Sequence, residues 1–172
     1  MQARPDTQVK GSLVLSYLAL RRSVGVIAIA LPIVLAVGKL LLESPGLLDT
    51  LSAYYYSVMR DVWVGSLSAT AVFLFSYRYA RQDAVAGGLA GVSALGVALL
   101  PAAPLVGATP QQMVIGTAHW TLSVIFLLTL AYFALVLFRK TDPKQPPTPQ
   151  KLQRNRVYLV SGIVILAALA LL

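Results

Sequence analysis

The stretch LSAYYYSVMRDVWVG, residues 51–65, places three successive tyrosines and an Arg-Asp pair directly before a long apolar run. Tyrosines gather where a helix enters the headgroup region of a membrane, because their rings are apolar and their hydroxyls are polar. An acidic residue in the first turn of a helix is stabilised by the helix dipole. The stretch therefore predicts the polar entrance of a transmembrane helix that begins near Val62.

The rest of the chain has the composition of a membrane protein. Of its 172 residues, 58% are hydrophobic and 12% are charged, and the mean hydropathy is +0.75, outside the usual balance of a soluble domain. The net charge is +8, but the basic residues flank apolar runs, so we expect no nucleic-acid partner. With one histidine and no cysteine, we expect neither a metal site nor a cofactor.

We predict an all-α, polytopic transmembrane helix bundle that forms a single domain. Residues 1–22 are expected to form a loose tail and a short interfacial helix, and residues 139–156 a basic, proline-rich cytoplasmic loop. About five spans are predicted from the apolar runs, near residues 24–42, 62–79, 84–100, 113–138 and 157–172. The last run stops after 16 residues with no polar exit. Either this helix is short and ends in the far interface or further helices follow Leu172, and we favour the second interpretation.

The basic residues predict the orientation of the bundle. With the N-terminus in the cytoplasm, every Lys and Arg of the 14 except Lys39 and Arg60 lies on the cytoplasmic side. We therefore expect a multi-pass protein of the cell's inner (plasma) membrane, with membrane lipids as partners. In the third span, Gly87 and Gly91 have the spacing at which helix backbones approach closely, which predicts an oligomer through this face.

The same orientation brings the candidate site residues to the outer side. Asp61 begins the second span, and His119 lies about seven residues into the fourth, where an ionisable group is costly and is a functional candidate. Our leading interpretation is an outward-facing pocket that binds or senses a lipid or small molecule, lined by Tyr54, Tyr55, Arg60, Asp61 and His119. The structural alternative is that the tyrosines anchor the chain, Asp61 favours the helix dipole and His119 joins two helices by a hydrogen bond.

Two other function classes stay open. A membrane lipid hydrolase would use His119 as base and Asp61 to orient it, with a nearby serine as nucleophile. Ser52, Ser66 and Ser68 are the candidates, and Ser68 shares a helix face with Asp61. No nucleophile-elbow motif supports this hydrolase, so we expect a role without catalysis. The third class is a transporter subunit, although no span carries a charge at its centre.

Most of the chain is covered by stretches that carry a resemblance: SYLALRRSVGVIAIALPIVLAVG, LSAYYYSVMRDVWVG with FLFSYR, AGGLAGVSALGVALLP, and LTLAYFALVLFRKTD through RNRVYLVSGIVIL. In these stretches the chain resembles a family of uncharacterised bacterial multispanning membrane proteins. The resemblance implies a helical membrane domain that continues past Leu172, and it implies no activity. The layout also looks similar to ceramidase-like membrane hydrolases, which use Ser, Asp and several His around zinc, whereas this chain has a single His.

Overall fold

A computed structural model describes residues 5–43, 46–78, 80–104, 106–141 and 147–171, with residues 5–18, 20 and 21 described by their backbone alone. Within these ranges every regular element is a helix. The elements are α1 (Pro5–Leu42), a 3₁₀ helix (Leu51–Tyr56), α2 (Arg60–Ser76), α3 (Arg81–Leu99), α4 (Pro110–Tyr132) continued by a π-helical turn (Phe133–Leu137), and α5 (Pro149–Ala170). The prediction of an all-α bundle is confirmed.

The first helix differs from its prediction. In place of a loose tail and a separate interfacial helix, α1 is one helix of 38 residues from Pro5 to Leu42. Its length is about 57 Å at 1.5 Å per residue. Residues 6–31 contain no proline, and the helix continues through Pro32 to Leu42. Residues 1–4 of the predicted tail lie outside the described residues. The same holds for three other parts of the predicted segments: Tyr79, residues 142–146 and Leu172.

Side-chain caps decide where the last two long helices begin. The Thr109 hydroxyl accepts from the Gln112 N–H at 3.3 Å, and the Gln112 side chain accepts from the Thr109 N–H at 2.9 Å. The Thr148 hydroxyl accepts from the Lys151 N–H at 3.3 Å. Such caps satisfy N–H groups that have no partner within the helix. Because Thr148 caps α5, that helix begins at Pro149, within the predicted cytoplasmic loop.

Two apolar clusters show that consecutive helices run antiparallel. One cluster joins the start of α2 to the C-terminal parts of α1 and α3, and contains Leu31, Leu35, Tyr54, Met59, Trp63, Leu67, Val97 and Ala98. The other joins the end of α2 to the start of α3 and the end of α4, and contains Leu74, Ala86, Ala90, Phe133 and Leu137. The bundle therefore has two distinct ends.

We name these ends by their polar residues. The tyrosine end comprises residues 51–60, residues 99–102 and His119. The basic end comprises Arg78, Arg81, Arg139, Lys140 and Lys151.

The glycine face of α3 packs within the chain itself. A β-carbon at Gly87 would lie 2.6 Å from the carbonyl oxygen of Leu74, and one at Gly91 would lie 2.9 Å from the ring of Phe75. Both neighbours belong to α2, so the close approach that the spacing predicts is made by the α2–α3 hairpin. At Gly87 and Gly91 the close neighbour is α2 of the same chain, and an oligomer through this face stays a prediction.

Four helical segments are long and apolar enough to cross a membrane: Arg22–Leu42, Arg81–Leu99, Pro110–Leu137 and Pro149–Ala170. They indicate a membrane protein. The remaining predicted span corresponds to α2, whose 17 residues are too few to be counted with them. The apolar windows of the first and last segments are only 11% and 6% buried, as expected for helices whose surroundings are lipid.

Candidate functional site

Unpaired carbonyl groups explain why polar side chains gather at the tyrosine end. The last carbonyl groups of a helix have no partner within it, and the segment after α3 is rich in proline, which has no N–H to offer. Side chains provide the missing donors. The Tyr55 hydroxyl lies 3.4 Å from the Leu99 carbonyl oxygen, and the Tyr56 hydroxyl lies 2.8 Å from that of Ala102. These bonds fix the 3₁₀ helix across the end of α3.

His119 is the third donor to this segment. Its Nδ1 lies 2.7 Å from the Leu100 carbonyl oxygen, and its Nε2 lies 3.1 Å from Ser52 Oγ. Because a carbonyl oxygen only accepts, Nδ1 carries the proton, and in the neutral ring Nε2 accepts from the Ser52 hydroxyl. The His119 side chain is only 5% exposed. Both ring nitrogens are therefore satisfied by groups from two other segments of the chain.

The period of the 3₁₀ helix sorts its residues into two faces. Such a helix has three residues per turn, so residues i and i+3 lie one above the other. Ser52 and Tyr55 are related in this way, and both reach the end of α3 or its partner His119. Tyr54 is only 3% exposed and packs in the apolar cluster with Met59. The hydroxyls of Ser52 and Tyr55 thus belong to the polar network, while Tyr54 belongs to the core.

Arg60 is directed at Tyr55. Its guanidinium donates to the Tyr55 hydroxyl at 2.7 Å, and its Cζ lies 4.4 Å from the centre of that ring. Both contacts place a positive charge against the aromatic side chain, an arrangement that contributes about 0.5–1 kcal/mol at an exposed site. Three of the five predicted pocket residues, Tyr55, Arg60 and His119, therefore lie in one network.

Asp61 and Ser68 do not join that network. Asp61 is exposed in the first turn of α2 and, among the described residues, makes no hydrogen bond or ion pair. Ser68 lies two turns further along α2, and the described contacts of the imidazole are to Leu100 and Ser52. In the structure the end of α3 supplies the acceptor for the imidazole and the 3₁₀ helix supplies the serine, and catalytic roles for Asp61 and Ser68 stay predictions.

A second polar contact closes the tyrosine end on its α1 side. Lys39 is 6% exposed, and its Nζ lies 3.8 Å from Glu43 Oε2, which also accepts from the Val58 N–H at 3.3 Å. Glu43 thereby links the end of α1 to the segment that leads into α2. The ion pair lies within the end of α1, and the bond from the Val58 N–H connects it to the residues just before α2.

An apolar groove lies elsewhere, between α3 and α4 near the basic end. Its volume is about 670 Å³, within the range of ligand sites in proteins. Its lining is mostly apolar and comprises Val85, Ala86, Leu89, Ile125, Leu128, Thr129 and Tyr132. Val85 is 66% exposed and Leu128 46%, so the groove opens on the side of the bundle, where lipid is expected.

Polar groups stand at one end of this groove. Arg81 and Gln82, in the first turn of α3, complete its lining. Gln82 accepts a hydrogen bond from Lys140. Arg81 is exposed and, within the described part of the chain, makes no hydrogen bond or ion pair. The groove is thus amphipathic along its length, with a free guanidinium at the end that faces away from the tyrosine end.

This groove is not predicted above, although the sequence carries a signal for one of its two walls. Arg81, Val85 and Leu89 follow at i, i+4 and i+8, the spacing of one helix face. The other wall, from Ile125 to Tyr132, becomes its neighbour only through the packing of α4 on α3. A basic residue at the end of a span was interpreted only as an orientation signal.

Comparisons with known proteins give no information on the candidate sites. No family model, curated protein or solved structure matches the chain. Among the described residues, no three His, Asp or Glu side chains approach one another closely enough to hold a metal ion. The two remaining candidates are the groove near the basic end and the hydrogen-bonded network around His119.

Proposed function

We propose that this protein is a multi-pass integral membrane protein that binds an anionic amphiphile in the groove between α3 and α4. The acyl chain lies along Val85, Leu89 and Leu128, and the anionic headgroup pairs with Arg81. One observation carries the proposal. An apolar groove of about 670 Å³ ends at an exposed guanidinium that has no partner among the described residues.

The headgroup decides selectivity in this proposal. A lipid tail leaves one apolar environment, the bilayer, for another, the groove, so hydrophobic transfer contributes little to the preference for a site. An ionic contact between a basic side chain and an anionic headgroup contributes about 1 kcal/mol. We therefore expect an affinity about fivefold higher for an anionic than for a zwitterionic lipid of the same chains.

The distribution of basic residues supports a cytoplasmic location for the groove mouth. With the N-terminus in the cytoplasm of a bacterial cell, the basic end faces the inner leaflet of the inner membrane. Anionic lipids give that leaflet its negative surface potential. The proposal thus moves the predicted lipid or small-molecule site from the outer side to the opposite end of the bundle.

Binding without catalysis is favoured for this groove by the state of its hydroxyl groups. The Thr129 hydroxyl donates to the Ile125 carbonyl oxygen at 2.7 Å, so it is engaged within its own helix. The Tyr132 hydroxyl belongs to a residue that is 40% exposed, which suits contact with the lipid surface. We propose a binding or sensing role for the groove.

Native mass spectrometry of the purified protein tests the proposal. The protein is titrated with phosphatidylglycerol and with phosphatidylcholine of identical chains, as the wild type, Arg81→Gln and Arg154→Gln. Arg154 is an exposed arginine on α5 and matches the change in net charge. We expect the fivefold preference for phosphatidylglycerol in the wild type and Arg154→Gln, and its loss in Arg81→Gln. Equal preferences in the two variants would contradict the site.

A further inference from the structure

We infer that Ser52 and His119 form a nucleophile and general-base pair that attacks a carboxylic ester of an amphiphile at the tyrosine end. Ser52 Oγ lies 3.1 Å from His119 Nε2, within the distance at which a base takes a proton from a nucleophile. This site is separate from the groove and does not depend on the lipid-binding proposal.

The imidazole is oriented as a base must be. The Leu100 carbonyl oxygen, 2.7 Å from Nδ1, holds the proton on that nitrogen and leaves Nε2 free to accept. A nucleophile, a base and a third group that orients the base make up the arrangement by which such sites are recognised, whatever their order in the sequence. Here a backbone carbonyl takes the place that the sequence analysis assigned to Asp61.

His119 is more deeply buried than Ser52. The imidazole is 5% exposed, so the bundle holds it in one place. Ser52 is partly exposed, and in this proposal both the ester and the hydrolytic water approach the pair from the side of Ser52. Thr50 fixes the start of the 3₁₀ helix, because its hydroxyl accepts from the Ala53 N–H at 3.2 Å, and this holds the serine in place.

Arg60 is the charged group of the network around the serine. Tyr55 follows Ser52 by one turn of the 3₁₀ helix, and its hydroxyl accepts from Arg60 at 2.7 Å. Negative charge develops on the carbonyl oxygen of an ester when a nucleophile adds to it, and cations that face that oxygen lower the barrier. In this proposal the Arg60 guanidinium has that role.

The reaction proceeds in two balanced steps. Ser52 Oγ bonds to the ester carbonyl carbon while Nε2 takes the hydroxyl proton. The bond from that carbon to the alcohol oxygen then breaks, and the alcohol leaves with the proton from Nε2. Water, deprotonated by the same nitrogen, hydrolyses the acyl-serine to release the carboxylic acid and restore Ser52. Because a carbonyl carries no full charge, it stabilises the imidazolium less than a carboxylate does, and we expect slow turnover.

Labelling by a fluorophosphonate probe tests the inference without knowledge of the substrate. The full chain in liposomes is treated with the probe, and the modified residue is identified by peptide mass spectrometry. We expect modification at Ser52, and none at this position in Ser52→Ala. In His119→Gln, whose amide can still donate to the Leu100 carbonyl, the labelling rate should fall by about 100-fold or more, the usual contribution of a general base.

The matched control is Ser57→Ala. The Ser57 hydroxyl also belongs to the tyrosine end, where it donates to the Tyr54 carbonyl oxygen at 2.8 Å, and this variant should label at the wild-type rate. A wild-type protein that stays unmodified at Ser52, under conditions that fully label a known serine hydrolase, would overturn the inference. Equal labelling rates in the wild type and in folded His119→Gln would do the same. The wild-type arm decides the matter even where a variant fails to fold.

Discussion

The two ends of the bundle differ in which of their polar side chains lack a partner within the described part of the chain. At the tyrosine end, the imidazole of His119 and the hydroxyls of Ser52 and Tyr56 are bonded to each other or to backbone carbonyls after α3. At the basic end, Arg81 is exposed beside an open groove and makes no hydrogen bond or ion pair among the described residues. Arg78, Arg139 and Lys151 at the basic end also donate to backbone carbonyls, so Arg81 is the cation of this end that stays available to its surroundings.

This difference follows from the backbone carbonyl groups that lack an N–H partner at each end. The tyrosine end contains carbonyl groups that the helices and prolines leave without N–H partners, and each costs about 1–3 kcal/mol if buried unpaired. Side-chain donors are therefore used up there. At the basic end, Arg81 stands in the first turn of α3, where it satisfies no internal group. The free charge, more than the buried histidine, is available for an external partner.

The largest loss of stability is expected for a substitution at the contact between α2 and α3, the hairpin that connects the two ends of the bundle. Gly87→Val should destabilise the protein by about 3 kcal/mol, because the new β-carbon would meet the Leu74 carbonyl oxygen at 2.6 Å and backbone cannot move aside cheaply. Gly88→Val is the control, since a β-carbon there has no neighbour within 4 Å. Unfolding by sodium dodecyl sulfate in mixed micelles measures both. Similar losses of stability in Gly87→Val and Gly88→Val would contradict the close packing of α2 on Gly87.

A substitution in the hydrogen-bonded network at the tyrosine end should reduce stability more than a substitution of the exposed Arg81. His119→Ala removes two hydrogen bonds of a side chain that is 5% exposed, and should reduce the free energy of unfolding by about 2 kcal/mol. Arg81→Ala should change it by less than about 0.5 kcal/mol, as for other surface positions. The same unfolding measurement compares them. The contrast between the ends fails if Arg81→Ala is the more damaging change.

The ion pair at the α1 side of the tyrosine end should have a smaller effect. Glu43→Gln leaves the buried Lys39 without its carboxylate and weakens the acceptor of the Val58 N–H. Because the Glu43 side chain is 33% exposed, we expect only about 1 kcal/mol of destabilisation. Asp49→Asn, at an exposed position between α1 and the 3₁₀ helix, is the matched change of charge. If Glu43→Gln destabilises the protein no more than Asp49→Asn does, the contacts of Glu43 with Lys39 and Val58 do not contribute to stability.

A single hydroxyl gives the smallest effect. Tyr56→Phe removes one exposed hydrogen bond to the Ala102 carbonyl oxygen and should destabilise the protein by about 0.5 kcal/mol. Tyr132→Phe, whose ring is 40% exposed beside the groove, should leave stability unchanged. Thermal unfolding in one detergent compares the two. A larger loss for Tyr132→Phe would mean that the Tyr132 hydroxyl makes a stabilising hydrogen bond beside the groove.

Apolar runs and charge patterns were sufficient to predict much of the fold. The run from Met113 to Phe138 predicts α4 because a span needs about 20 apolar residues in succession, and the helix with its π-helical turn extends from Pro110 to Leu137. The start of α5 was predicted too late, because polar residues after Thr148 are helical on the strength of its cap. Apolar periodicity does not report such polar first turns.

The candidate sites depend on contacts that a sequence does not contain. Topology predicted that His119, Tyr55 and Arg60 lie at one end of the bundle, and they do. Their partners were not predictable, because the Leu100 carbonyl acts as an acceptor only once α3 has ended at Leu99. Similarly, Ser52 reaches the imidazole only because residues 51–56 form a 3₁₀ helix. The groove arises from the packing of α4 on α3, which no local pattern records.

The most direct test of the lipid-binding proposal asks which end holds an anionic lipid. Phosphatidylglycerol with a photoactivatable acyl chain is incorporated into proteoliposomes, illuminated, and its adducts are mapped by peptide mass spectrometry against the matching phosphatidylcholine probe. We predict that adducts specific to phosphatidylglycerol concentrate on residues 81–89 and 125–132, and that Arg81→Gln abolishes the excess. Equal adducts from both probes, or an excess on residues 51–60 at the tyrosine end, would contradict it.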